Sequence, residues 1–156
     1  MKTYADANAL VRLYLQSPDC LRVAKEMGPG PVPVTDLIRF EVQNAIERMI
    51  FESRAGSFWR ISPEVASLAQ GDFIEQIKEG KLLKAVPLTL ADLEGEFDSL
   101  VRRFTATHGF RTYDVMHVSS ALALRCKRFV SFDAKANSLA KLVGLETISL
   151  PKSGHK

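Results

Sequence analysis

Apolar residues along this chain fall alternately into short unbroken runs and into stripes that recur every three or four positions. Met1 to Ala5 opens as an extended segment, and Leu10, Leu13 and Tyr14 then repeat at helical spacing. Ser17-Pro18-Asp19 reads as a helix start with Pro at the first helical position, and that helix runs to Met27, where Gly28-Pro29-Gly30-Pro31 stops it. Pro31 to Val34 is extended. Thr35 or Asp36 caps a long helix whose stripe is Leu37, Ile38, Val42, Ala45, Ile46, Met49 and Ile50, with Gly56 just past its end. Ser62-Pro63-Glu64 opens a helix to about Gly80, and Leu82 to Val86 follows as a strand. Thr89 with Asp92 has the spacing of a capping box for a helix ending near His108-Gly109. Thr112 or Tyr113 starts the next, to about Arg125. Phe129 to Phe132 is an apolar strand, Ala134 to Leu142 a helix stopped by Gly144, and Glu146 to Ser149 a last strand.

Strands that are short and continuous, alternating with helices, predict an α/β fold: a three-layer α/β/α sandwich with a short, mostly parallel central sheet. In such folds sites form beyond the carboxyl ends of the strands. A chain of 156 residues fits one such domain over 1–150, leaving 151–156 as a tail. A content of 46% hydrophobic and 25% charged residues argues against disorder. The formal charge of +3 permits a nucleic-acid partner without demanding one, so its basic groups would have to cluster. Cys20 and Cys126 make no metal or redox motif and read as reduced, packed thiols. An acid at residue 6 does not suit a signal peptide, and no apolar run approaches the ~20 residues of a membrane span, so the expected compartment is the cytoplasm.

Four acids stand in unexpected places. Asp6 follows the first strand and Asp133 follows Phe129–Phe132. Glu41 lies four residues from both Leu37 and Ala45, on an apolar stripe, and Asp114 shares a helix face with Val118, Ala121 and Leu122. A carboxylate turned inward needs a compensating cation or it takes up a proton. One divalent ion would compensate several at once, and hard oxygen donors suit Mg²⁺ or Mn²⁺. Read singly, each acid has another explanation: Asp6, Asp114 and Asp133 as helix caps, Glu41 as a partner of Arg39, Arg48 or a distant base.

Taken together, three stretches carry a resemblance to a known family. YADANALVRLYL, VTDLIRFEVQNAIER and FRTYDVMHVSSALALRCKRFVSFDAKANSLAKLVGL resemble, in order and spacing, the acid-bearing segments of PIN domains, and among them the VapC-like ribonuclease toxins of toxin–antitoxin pairs. The resemblance runs from residue 2 to about 148 and is least distinctive over 52–88. It implies a metal-dependent endoribonuclease in which Asp6, Glu41 and Asp114 bind Mg²⁺ and Asp133 completes the site, directly or through water. Asn8 would orient Asp6 or a water, Ser131 would hydrogen-bond within the pocket, and Asn137 is a further polar position. It also implies products with a 5′-phosphate and a 3′-hydroxyl, a homodimer, and a small inhibitory antitoxin whose helix lies in a groove. Phe51 to Ile61, with Phe58 and Trp59, is a candidate for that surface.

Basic groups near the acids, Arg12, Arg39 and Arg111, are the expected guides for RNA; Lys127 and Arg128 lie at the far end of their strand. Phe110 and Tyr113 offer rings for base stacking but read first as core packing. His117 comes near the pocket yet also reads first as packing, and His108 and His155 belong to no site. A receiver domain or an Asp-x-Asp phosphatase would need a second acid beside Asp6, where the sequence has Ala5, Ala7 and Asn8. The remaining alternative is a PIN fold that binds RNA or protein without cutting.

Overall fold

The structure, a computed structural model, describes residues 2–56 and 60–149. The expectations for Phe58, Trp59 and the tail 151–156 lie outside those residues. Five short strands, β1 (Thr3–Ala5), β2 (Val32–Val34), β3 (Leu83–Ala85), β4 (Arg128–Ser131) and β5 (Glu146–Ser149), all pair in parallel. β1-β4-β5 form one ladder and β2-β3 another, and β1 lies against β2, so the spatial order is β3-β2-β1-β4-β5. Tyr4, Ala5, Phe129, Val130 and Ser131 are wholly buried, as residues of central strands covered on both faces must be, whereas Lys84 and Ala85 on the edge strand are exposed. The fold is the three-layer α/β/α sandwich.

The helices are α1 (Ala7–Tyr14), α2 (Cys20–Met27), α3 (Asp36–Arg54), α4 (Pro63–Glu79), α5 (Leu90–Leu100), α6 (Ala106–His108), α7 (Thr112–Ala123) and α8 (Ala134–Leu142). α1 packs on α2, α3 and α4; α7 packs on α5 and α8; and α8 lies along β4 and β5. Ile38, Val42 and Ile46 are the fully buried face of α3, flanked by half-buried Leu37, Ala45, Met49 and Ile50. Tyr4 stacks parallel on Phe129, with ring centroids 5.6 Å apart, and so ties β1 to β4 inside the core.

Local starts and stops follow side-chain chemistry. Ser62 and Thr89 accept hydrogen bonds from the third residue onward, and Asp92 closes the capping box on Thr89. Thr35, not Asp36, caps α3, and the Asp36 side chain pairs with Arg39 at the surface. Several boundaries differ from the sequence reading. Ser17 accepts from Asp19 in a tight turn that holds Pro18, so α2 starts only at Cys20. β4 is shifted one residue back, ending at Ser131, with Phe132 bent out between it and Asp133. The helix expected from Thr89 to His108 is interrupted at Val101–Thr105 by a π-helical turn before Gly109 ends it in the left-handed conformation.

The winding of the sheet picks out one place on it. From β1 the chain moves outward to β2 and β3, then returns on the other side of β1 to lay down β4 and β5. The direction reverses between β1 and β4, and a crevice opens beyond the carboxyl ends of strands at such a reversal. Asp6 stands at the end of β1 and Ser131 at the end of β4.

Candidate active site

Asp6 is placed first by backbone. Its N–H continues the ladder onto Val130 O (3.1 Å), and its Oδ1 accepts from Ala9 N (2.9 Å), capping α1. The other oxygen, Oδ2, accepts from Ser131 Oγ at 2.5 Å. Asp6 is 2% exposed. Burial pushes its carboxyl above the usual carboxylate range; the positive field of His117 and the bonds from Ser131 and Ala9 offset that only in part, and the charge of Glu41 adds to it.

Glu41 and Asp114 arrive from two helices. Glu41 rides on α3 next to the buried Val42, its side chain 27% exposed. Asp114, in the first turn of α7, is buried and accepts from Arg111 N at 2.9 Å through Oδ2. Between them stands His117, buried one turn along α7. Its Nε2 lies 2.6 Å from Glu41 Oε2, close but away from the ideal N–H direction, so charge as much as bond direction holds the pair. Its Nδ1 lies 2.9 Å from the Tyr4 hydroxyl. Burial by itself would depress the imidazole, yet it is raised, because the bond to and charge of Glu41, then Asp6, then Asp114, outweigh burial. Three carboxylates therefore act on one buried ring.

Asp133 occupies a different position. Its Oδ1 accepts from Lys135 N (2.7 Å) and Ala136 N (3.1 Å), capping α8, and its own N–H donates to Ser131 Oγ (2.8 Å). Ser131, wholly buried, thus links Asp6 and Asp133 by one hydroxyl. Asn137, also buried, donates to Ser131 O (3.0 Å), while its buried Oδ1 has no partner among the described residues. Asn8 is exposed on α1 and makes no hydrogen bond to Asp6 among the described residues.

The basic candidates separate. Arg12 pairs with Asp19 (3.2 Å) and covers the Phe132 ring; Arg39 pairs with Asp36 (3.1 Å) and lies over Phe40. The Arg111 side chain is exposed and has no ion pair among the described residues. Arg128 is held by Glu146 and Glu26 O. Phe110 is core, as expected, but Tyr113 is 58% exposed beside Asp114 rather than packed.

A hard divalent cation suits this donor set. Burial holds the Asp6 carboxyl above its usual range, and the donors of the acids are oxygens. As placed, however, no group of three or more Asp, Glu, His or Cys among the described residues is gathered closely enough to hold an ion, since Glu41 is turned to His117 and Asp133 to its own helix. The sequence reading missed the connection of Tyr4, His117 and Glu41. The spacing that found Asp114, an inward face shared with Val118 and Ala121, contains His117 too.

No family model matches the sequence, and no curated protein does. Among solved structures, VapC20 of Mycobacterium tuberculosis, a toxin that cleaves the sarcin–ricin loop, is similar at a TM-score of 0.57 and 13% identity, over 88% of this chain and 94% of that one. At that identity the likeness is one of fold alone, and the fold this chain shares is that of a VapC toxin.

Proposed function

We propose that the protein is a Mg²⁺-dependent endoribonuclease, the toxin of a toxin–antitoxin pair. The observation that carries the reading is the convergence of Asp6, Glu41 and Asp114 on one buried histidine at the carboxyl ends of β1 and β4. Asp6, Glu41 and Asp114 would hold the ion, with Asp133 bound directly or through water, and Mn²⁺ would serve in its place. When bound, such an ion supplies Lewis-acid chemistry for hydrolysis of a phosphodiester. The chain's own contribution is orientation. Ser131 fixes one oxygen of Asp6, the cap to Ala9 fixes the other, and Arg111 at the rim offers a cation to the RNA backbone. Asn8 and Asn137 complete the polar surroundings, and Arg12 and Arg39 rank below Arg111 because each is already paired.

The fold likeness makes the sarcin–ricin loop the first substrate to try. Incubation of total RNA with purified protein should give cleavage in Mg²⁺, none in EDTA, and none with Asp6→Asn. Folded wild type that cuts nothing in any condition removes the reading. In its place would stand a non-catalytic RNA-binding or interaction module, favoured by the acids not being gathered into a ligand group as placed.

The same reading gives the protein an antitoxin partner, to be sought in the adjacent gene, and a homodimeric state. Light scattering of the isolated chain should return twice the mass of 17.3 kDa; a strict monomer at high concentration removes the dimer. No helix among the described residues is long and apolar enough to cross a membrane, which agrees with the proposed cytoplasmic setting.

A further inference from the structure

Three of the site acids each follow an aromatic residue directly: Glu41 follows Phe40, Asp114 follows Tyr113 and Asp133 follows Phe132. The structure treats the three rings differently. Phe132 is half-buried under the Arg12 guanidinium, 4.2 Å from the ring centroid, and Arg39 covers one face of Phe40 at 4.4 Å. Tyr113 is 58% exposed and makes no hydrogen bond and no ring contact among the described residues.

The place of Tyr113 follows from helix geometry. It is the second residue of α7, and successive helical residues turn by about 100°. Asp114 is buried, so the ring of the residue before it comes out at the rim, with the two Cα atoms about 3.8 Å apart. Lys135, two residues past Asp133, donates from Nζ to His108 O at 2.8 Å and draws the start of α8 against the loop that leads into α7. The loop that carries Arg111 and leads to Tyr113 therefore lies beside the segment that bears Asp133.

Single exposed rings are ordinary surface, and position is what sets this one apart. Phe51, a more exposed ring at 71%, stands ten residues past Glu41 on α3, about 15 Å along the helix. The apolar groove between α5 and α7, lined by Leu90, Leu93, Phe97 and Met116, does not take in Tyr113. The ring stands instead beside exposed, polar Arg111 and Thr112. A protein partner would need a contiguous apolar patch, which one ring in such company does not make. An unpaired nucleotide needs less: a flat face for its base and a cation for its phosphate. Arg111, exposed and without an ion pair among the described residues, offers that cation.

We propose that Tyr113 stacks on an unpaired base of the bound RNA, next to a phosphate held by Arg111. The assignment rests on the reading of the protein as an RNA-cutting enzyme and adds the residue that would seat a base beside the acids. The ring acts in binding alone and requires no ion.

The test uses the purified full chain in EDTA and two dye-labelled probes, a short single-stranded RNA and the same ribose–phosphate chain without bases. Binding is followed by fluorescence anisotropy. Tyr113→Leu should weaken binding of the RNA about fivefold or more, the usual loss for one base stacked on a ring, and leave binding of the base-free chain unchanged. Tyr113→Phe keeps the ring and should bind both probes as wild type does. Phe51→Leu removes an exposed ring far from the acids and should change neither. Wild-type affinity of Tyr113→Leu for the RNA overturns the proposal and leaves the ring to a protein contact. Equal weakening on both probes overturns it too, as does the same loss in Phe51→Leu or a wild type that binds neither probe. RNA cleavage by wild type in Mg²⁺, measured in parallel, separates the two readings. Cleavage without a base-dependent loss in Tyr113→Leu removes the stack and leaves the nuclease. A base-dependent loss with no cleavage keeps the stack and removes the nuclease.

Discussion

Asp6 carries the conflict between site and stability in a single side chain. It is almost fully buried, its carboxyl is raised by burial, and Glu41 adds a second negative charge nearby. For an acid whose folded value lies above its unfolded one, the group favours folding only while protonated. That contribution is present below the ordinary carboxylate range and is lost as pH rises through the raised value, above which the ionised Asp6 opposes folding. Asn keeps an oxygen for the cap to Ala9 and is itself among the best capping residues. Asp6→Asn should therefore melt at a higher temperature than wild type at neutral pH in EDTA, while losing all cleavage. A variant that melts below wild type there would mean that the carboxylate is already compensated within the chain. Ser131 shows the complementary case, since one hydroxyl serves an acid and a backbone N–H together. Its place in the pocket was legible only through the family resemblance. The bond across to Asp6 was not, because it joins residues 125 apart in sequence.

At the scale of elements, what could be read in advance is what local chemistry decides. The caps at Ser62 and Thr89 and the inward stripe of α3 follow from neighbouring residues and appear in the structure where spacing puts them. The π-helical turn at Val101–Thr105 left no such trace, since VRRFT has ordinary helical residues and no Gly or Pro to mark the extra residue. The same limit applies to the site. Glu41 and Asp114 stood out because an acid on an apolar stripe is costly, whereas a histidine on such a stripe is an ordinary packed residue. Only the docking of α3 and α7 on either side of the reversal between β1 and β4 turns His117 into the partner of Glu41. Arg12 and Arg39 show a related limit. Proximity to the acids in sequence suggested free cations, but each had a nearer carboxylate, in Asp19 and Asp36.

Across the whole molecule, the balance of 21 basic and 18 acidic residues leaves little field to attract RNA, and pairing reduces it further: Arg12, Arg39, Arg48, Arg102 and Arg128 each face a carboxylate within 4 Å. Cations that are already neutralised release few counterions when a phosphate arrives, so RNA binding should depend only weakly on salt. Arg111 is the exception near the site, exposed and without an ion pair among the described residues, at the start of the helix that bears Asp114. Its backbone N–H caps Asp114 whatever the side chain, so Arg111→Ala removes the cation and leaves the acid in place. Binding of a single-stranded RNA to the Asp6→Asn protein, followed against salt, should give a shallow slope of log K on log salt. Arg111→Ala in that background should flatten it by about 0.7, the amount due to one phosphate contact on a single strand. Arg12→Ala should leave the slope nearly unchanged, because Arg12 is already paired with Asp19. If Arg12→Ala flattens the slope as much as Arg111→Ala does, the paired arginines open to meet the RNA, and the assignment of Arg111 as the main backbone contact is wrong.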